Sequence, residues 1–490
     1  MTGRRGRPAP PLRILNYAIN GLGLGHLTRL IAINRQIRRL ATLVDQPTEI
    51  LFLTSNEGDA LAYQHGFASF KIPSKSAVST CGLEPARYRK IAKQWVWNAI
   101  NLVSPDILIV DTFPAGGFQE LFDVFDFGSK NVFIYRAVRA EAALQPAFQS
   151  ALRGYQRILM PREQGENDSP VPTALEDRVA TTREILLRSV EETLEPAEAR
   201  ATLGLPADSP AVYLSVGGGG DSAAEETYAA AIEMARGLPE VRFVLGAGAL
   251  YRGREFPSPN VTWTRRPAMI ECFRAFDAAV VAGGYNTVWE LMHCGVPCVF
   301  LPQPRTHDDQ ERRVRRCVEA GAGVQPAAST PDAIREALVG LLEPERQRRA
   351  AAAASGLVPI NDALTAAEEI LGLWLDPTEL EDAAGILAAE PGALVAAVRA
   401  GHKEEALLAT AHVMAGILTD APERVLRATQ DYLAVSQEAG ASPLRATNTL
   451  RRAIRAIRAE EAALPEETES DADLEPRVVQ RALELQREDL

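Results

Sequence analysis

Two strand–glycine–helix units each head a run of alternating apolar segments, and that arrangement leaves few folds open to this chain. The first unit reads "LRILNYAINGLGLGHLTRL" from Leu12. Leu12 to Ile19 has the continuous apolar character of a buried strand, and Leu27 to Leu40 repeats apolar residues three and four apart, as a core-facing helix does. Gly21, Gly23 and Gly25 therefore lie on a strand-to-helix turn, where the backbone can approach a ligand closely and the free N–H groups of the helix start attract negative charge. A dinucleotide fingerprint would place a further glycine where His26 stands. The second unit, "AVYLSVGGGGDSAAEETYAAAI", opens at Ala211. Strand-like segments recur after both, as "EILFLTSN", "FASFKIP", "DILIVDTF" and "NVFIYRAV", then "VRFVLGAG", "VTWTRR", "AAVVAGG" and "PCVFLPQP". Two successive βα arrays predict an α/β protein of two facing, doubly wound, Rossmann-like domains. The expected boundaries are a disordered N-terminus over 1–11, a first domain over 12–175, a second over 176–375 and a helical extension over 376–490.

Composition narrows the functional classes. A formal charge of -12 argues against nucleic acid or an anionic membrane surface as partner, since both are bound through a basic field. No run reaches the ~18 apolar residues of a membrane span, and the basic start lacks the apolar stretch of a signal peptide. Five scattered cysteines fit a reducing cytosol, so a cytoplasmic location is expected. Cys294 and Cys298, near His293 and His307, lie in "HCGVPCVFLP", which reads as helix end, turn and buried strand and so predicts small apolar cysteines in place of a metal site. The tail is rich in Ala, Leu, Glu and Arg at helical period, consistent with self-association or protein binding. Its "PEETESDADLEP" reads as a solvated acidic linker, and the D-x-D of Asp471 and Asp473 is not assigned a metal.

Residues 280–310, "VVAGGYNTVWELMHCGVPCVFLPQPRTHDDQ", carry the most chemistry. A strand ends at Gly283 and Gly284, and a helix begins near Asn286. Asn286 and Thr287 can join the helix-start amides in holding a diphosphate. Glu290, three residues on and on the same helix face, can accept hydrogen bonds from both hydroxyls of a ribose. Asp309 and Gln310, beyond the next strand, suit recognition of sugar hydroxyls.

The order G-G-x-x-T-x-x-E, then G-V-P, an apolar strand and D-Q, resembles the donor half of the two-domain GT-B glycosyltransferases. It is most similar to the C-terminal domain shared with the lipid II-forming N-acetylglucosaminyltransferase family. The resemblance covers residues 12 to about 375 and is strongest from Val261 to Gln310. It implies that Glu290 holds the nucleotide ribose, that Thr287 and the loop from Gly217 through Gly218 and Gly219 to Gly220 hold the diphosphate, and that Asp309 and Gln310 hold the transferred sugar; Gly284, at the strand end, is also an expected donor-binding residue. Met269 falls where the family's backbone touches the base.

In such a fold the first glycine turn, Gly25 included, faces the donor. An inverting transfer needs a base for the acceptor hydroxyl, and a histidine with a near-neutral pKa suits the task. His26 is the expected base. Asp111, at the C-terminal end of the strand "DILIV", is its expected orienting partner, as in the His and Asp pair of plant-type members. Arg29 is open between meeting a phosphate and being a solvated helix residue. Arg136 and Arg139, after another strand end, could meet an anionic acceptor or be surface charge. The implied activity is metal-independent, inverting transfer from a nucleotide-diphosphate sugar, UDP-linked, to an unidentified hydroxyl or amine, with no cofactor besides that donor. A hydrolase of the same fold, which shares a "GHxxR"-like turn, and a non-catalytic binding or scaffold protein are the alternatives. A dehydrogenase fits less well because of His26, although Glu57 stands where its ribose acid would.

Overall fold

The computed structural model describes residues 10–19, 23–44, 46–138, 140–162, 169–215, 224–247, 251, 254–266, 268–303 and 309–389, and in the tail 411, 422–438, 446, 449–450, 453 and 478–484. Gly21, Arg139, Gly217, Gly218, Gly219, Gly220, His307, Asp471 and Asp473 lie outside the described residues.

The chain divides into two compact units, one of residues 13–34 and 49–366, the other of 1–12, 35–48 and 367–490. The larger unit carries two parallel sheets among its described residues. The first comprises β1 (Leu12–Ala18), β2 (Thr48–Thr54), β3 (Ala68–Lys71), β4 (Ile107–Asp111), β5 (Lys130–Ile134), β6 (Arg157–Pro161) and β7 (Val179–Thr182), in the order β3-β2-β1-β4-β5-β6-β7. The second comprises β8 (Ala211–Ser215), β9 (Arg242–Gly246), β10 (Val261–Thr264), β11 (Ala278–Val281), β12 (Cys298–Phe300) and β13 (Gly323–Val324), in the order β10-β9-β8-β11-β12-β13. β1 pairs β4 with Tyr17 opposite Val110, and β8 pairs β11 with Leu214 opposite Val280. Every residue of β4, β8 and β11 is buried, which is why these strands read as unbroken apolar runs: helices cover both faces of a parallel sheet.

Each sheet has its own core, with Tyr17, Leu108, Phe133 and Tyr155 in the first and Val212, Phe243, Val280 and Val299 in the second. A buried amide pair fixes the first helix, α1 (Gly25–Leu43), to its sheet: the side chains of Asn16 and Asn34 exchange hydrogen bonds at 3.1 and 2.6 Å, and Asn34 also donates to Leu30 O at 2.7 Å. In both sheets the strand order reverses at the first strand of its array, between β1 and β4 and between β8 and β11. At such a reversal the flanking helices leave in opposite directions and open a crevice at the C-terminal ends of the strands. His26 and Asp111 follow the first reversal; Gly283 to Glu290 follow the second.

In the smaller unit, helices span Pro377–Ala389 and Pro422–Glu438. Val425, Tyr432 and Leu433 are buried there, and the Tyr432 hydroxyl donates to Ala446 O at 2.9 Å. Among the described residues, no helix is long and apolar enough to cross a membrane.

Candidate active site

At the first crevice, β4 delivers Asp111 to the sheet edge with its carboxylate fully enclosed. Arg29, one turn into α1, sets a single nitrogen, Nη1, between the two carboxylate oxygens, 3.1 Å from Oδ1 and 2.8 Å from Oδ2. The Thr112 hydroxyl donates to Oδ1 as well. His26 places Nδ1 3.3 Å from the same oxygen, a long contact. The reason is one of capacity. Each carboxylate oxygen offers about two lone-pair directions, and on Oδ1 both are taken by Thr112 and Arg29.

The titration of this cluster follows from its burial and its charges. Enclosure alone would raise the Asp111 pKa, but the Arg29 guanidinium and His26 reverse this and hold the carboxyl well below its usual range. For His26, burial lowers the pKa, Asp111 opposes that, and the positive charges of Arg136 and Arg29 add to the lowering. The imidazole is accordingly neutral at pH 7. Phe113 lies parallel to its ring at 5.9 Å between centroids and an interplanar angle of 9°. Thr112, which links Asp111 to Phe113, has φ 68°, a left-handed conformation unfavourable for a β-branched residue and typical of strained functional turns. The glycine turn before His26 is held by Asn56, whose side chain donates to Gly23 O at 2.7 Å.

At the second crevice, β11 ends in Gly283 and Gly284, and Gly284 caps the helix α2 (Tyr285–His293). Gly283 is needed for close approach. A Cβ on it would stand 2.8 Å from Gln310 Cβ. Its N–H donates to Gln310 Oε1 at 3.2 Å, the same oxygen accepts from Gln303 N at 3.0 Å, and Arg313 Nη1 donates to Gly283 O at 2.5 Å. The Gln310 amide oxygen thus clamps the ends of two strands. Asp309 caps the helix α3 (Gln310–Glu319), accepting from Arg312 N at 3.1 Å. A Cβ on Gly284 would meet no described atom within 4 Å. Asn286 and Thr287 are half-buried on the first turn of α2.

Glu290 is not a solvated helix glutamate: it is 9% exposed, and its carboxyl takes a hydrogen bond from the backbone of Leu187. Burial, only partly offset by that bond, pushes its pKa up to about 8, so it keeps its proton at neutral pH. Met269 is buried at the start of a 3-10 turn, Met269–Ala275. Glu57 pairs with Lys71. His293 accepts from Val190 N at its Nε2, 2.9 Å away, and contacts Val358 O through Nδ1 at 2.7 Å, so both ring nitrogens are engaged by backbone; Cys298 and Cys317 are buried.

The two crevices meet. The guanidinium of Arg29 lies 5.1 Å from the centre of the Tyr285 ring, the first residue of α2, and Arg313 stands 5.5 Å from the same ring. A Cβ on Gly25 would be 3.9 Å from Asn286 Oδ1. Arg29 and the first residue of α1 therefore lie against the helix start that carries Tyr285 and Asn286. The sequence pattern does not single out Tyr285 or Arg313. For Arg313 the available signal is its position three residues after Gln310 on one helix face; for Tyr285 there is only its place between Gly284 and Asn286.

No protein-family model matches the chain. It is 28% identical over 189 residues to the UDP-N-acetylglucosamine--N-acetylmuramyl-(pentapeptide) pyrophosphoryl-undecaprenol N-acetylglucosamine transferase of a Nocardioides species, a match spanning 36% of this chain and 50% of that protein. To the protein of the same description in Rhodococcus opacus it is 32% identical over 171 residues, or 32% of this chain and 44% of that protein. The matches thus span about half the length of these curated relatives. Among solved structures, the glycotransferase of kitacinnamycin superposes with a TM-score of 0.51 at 18% identity, over 73% of this chain and 98% of that one. CalG4, the calicheamicin glycosyltransferase, superposes with a TM-score of 0.50 at 18% identity, over 74% and 99%. The two sheets are those of the GT-B fold.

Proposed function

We propose that the chain is a glycosyltransferase that moves a sugar from a nucleotide-diphosphate donor, UDP-linked, to a hydroxyl or amine of an acceptor, with inversion and without a metal ion. The observation that carries this reading is the approach of Gly25 and Arg29, the α1 residues on either side of the neutral, carboxylate-backed His26, to Tyr285 and Asn286 at the start of α2. The likeness to curated N-acetylglucosamine transferases supports the choice of donor.

His26 Nδ1 faces Asp111, which leaves Nε2, across the ring, as the proton-accepting atom. As the acceptor oxygen bonds to the anomeric carbon, its proton passes to Nε2 and Asp111 balances the imidazolium formed. The bond from the anomeric carbon to the β-phosphate oxygen breaks, and its electron pair leaves with the nucleoside diphosphate. The backbone N–H groups at Asn286 and Thr287, together with Arg29, supply the positive field for that leaving group. Glu290 holds the ribose hydroxyls, and Met269 borders the base.

The test is turnover of UDP-sugars by His26→Ala. Loss of about 10²- to 10⁴-fold with donor affinity retained is the expected result; unchanged turnover removes the base assignment. Sugar released without any acceptor, as fast as the best transfer rate found, would instead mark the chain as a hydrolase.

A further inference from the structure

Resting on that reading, we infer that Arg29 is a positioning residue shared between Asp111 and the donor's diphosphate, and that its grip on Asp111 holds back the base until an anion arrives. Nη1 of Arg29 divides one nitrogen between both carboxylate oxygens, in place of the parallel two-nitrogen fork that makes arginine–carboxylate pairs strong. Together with Thr112 it occupies acceptor directions of Oδ1, the oxygen that His26 Nδ1 approaches only to 3.3 Å. The same guanidinium stands against Tyr285, the residue that opens α2, where the leaving diphosphate is placed in this reading. A small swing of one side chain therefore exchanges a carboxylate for a phosphate.

The charge arithmetic gives that swing a consequence. Among the described residues, the charged groups acting on the His26 ring are Asp111 from β4, Arg29 from its own helix and Arg136 from the segment after β5. While Arg29 is on Asp111, the carboxylate is shared and a cation stands near the ring. Both disfavour imidazolium. When Arg29 turns to a diphosphate, Oδ1 becomes free to accept a closer hydrogen bond from Nδ1–H. The base then strengthens only in the complex that has a leaving group to expel, which ties proton removal to donor occupancy.

The experiment follows His26 by NMR in [13C]histidine-labelled full-length protein, its signal assigned by its loss in His26→Gln, and needs no turnover. In the absence of ligand, Arg29→Gln should raise the His26 titration midpoint by about one pH unit relative to wild type. Inorganic pyrophosphate should then raise the midpoint more in wild type than in Arg29→Gln. The direct effect of the anion is common to both proteins and cancels in the difference. Equal midpoints without ligand, or equal pyrophosphate shifts, overturn the proposal. Should the glutamine variant fail to fold, the wild type decides alone. Its Arg29 side-chain signal in [15N]arginine spectra, assigned with Arg29→Lys, must change over the same pyrophosphate range as His26, and a static signal overturns the coupling. A shift without sugar transfer leaves the coupling standing and removes the transferase reading; transfer with a flat titration does the reverse.

Discussion

The two crevices use polar side chains in opposite ways. At the end of β4 the charges answer one another: Asp111, Arg29 and His26 form a buried cluster with little backbone in it. At the end of β11 the polar groups answer the backbone: Gln310 and Arg313 hold Gly283, and Glu290 sits with Leu187 as a neutral acid. The first arrangement holds charge that can be redistributed during a reaction. The second holds main-chain donors in fixed positions and keeps the Glu290 carboxyl uncharged until a partner calls for the ionised form. The proposed transfer, which binds a dianion and then moves a proton, would need both, and separating them by crevice lets each be tuned without disturbing the other.

Asp111→Asn should break this contrast most severely. It leaves Arg29 buried without its carboxylate, a defect of about 3–5 kcal/mol, which corresponds to a fall of about 10 °C in the apparent melting temperature. Turnover should fall by about 10²- to 10⁴-fold. A variant melting with wild type would mean that the charge cluster does not hold the first crevice together. Gly283→Ala should be next. The new methyl would press on Gln310, which stands between two strand ends and cannot withdraw, at a cost of about 1–3 kcal/mol. Donor affinity, read by calorimetry, should weaken with it; an unaltered affinity would show that the clamp and the donor site are independent.

Glu290 offers a test through pH. Its pKa is raised to about 8, so the ligand-free protein holds a proton there at pH 7. Ribose hydroxyls donate, and they favour the ionised carboxylate. Binding must then release a proton, so affinity for a UDP-sugar should climb as pH rises toward 8 and level off above it. The slope is at most about tenfold per pH unit, or ~1.4 kcal/mol. Glu290→Gln should flatten the profile. A wild-type affinity that is level from about pH 6 to pH 8 would remove the ribose from this carboxyl.

Much of this was legible in the residues, for physical reasons that also mark where legibility ends. Continuous apolar runs ending in glycine announce buried parallel strands and their turns, so both sheets and both crevices follow from pattern. Asp111 is legible because strand ends are sheet edges. Arg29 is legible only in part: its spacing of three from His26 puts both on one helix face, but nothing local says that Asp111, 82 residues on, will lie between them. Gln310 reads as a sugar-binding amide, yet its oxygen is engaged by Gly283 and Gln303, a contact created by the packing of α3 on two strand ends. The proton on Glu290 comes from burial, which outweighs a hydrogen bond from Leu187 about a hundred residues earlier in the chain, and neither leaves a local trace in the sequence.

Asp309 carries the smallest expected effect, and its two roles can be separated by choice of substitution. Its carboxylate already caps α3 through Arg312 N, a task that asparagine performs about as well and alanine does not. If capping is all it does, Asp309→Ala should cost about 1 kcal/mol of stability while Asp309→Asn is silent in both melting and kinetics. If the second carboxylate oxygen also holds a sugar hydroxyl, asparagine exchanges a charged acceptor for an amide at that point. Asp309→Asn should then raise KM for the UDP-sugar several-fold, a loss of about 1 kcal/mol, with the melting temperature unchanged. A silent asparagine variant would place Asp309 among the residues that shape the second crevice and leave recognition of the sugar to others.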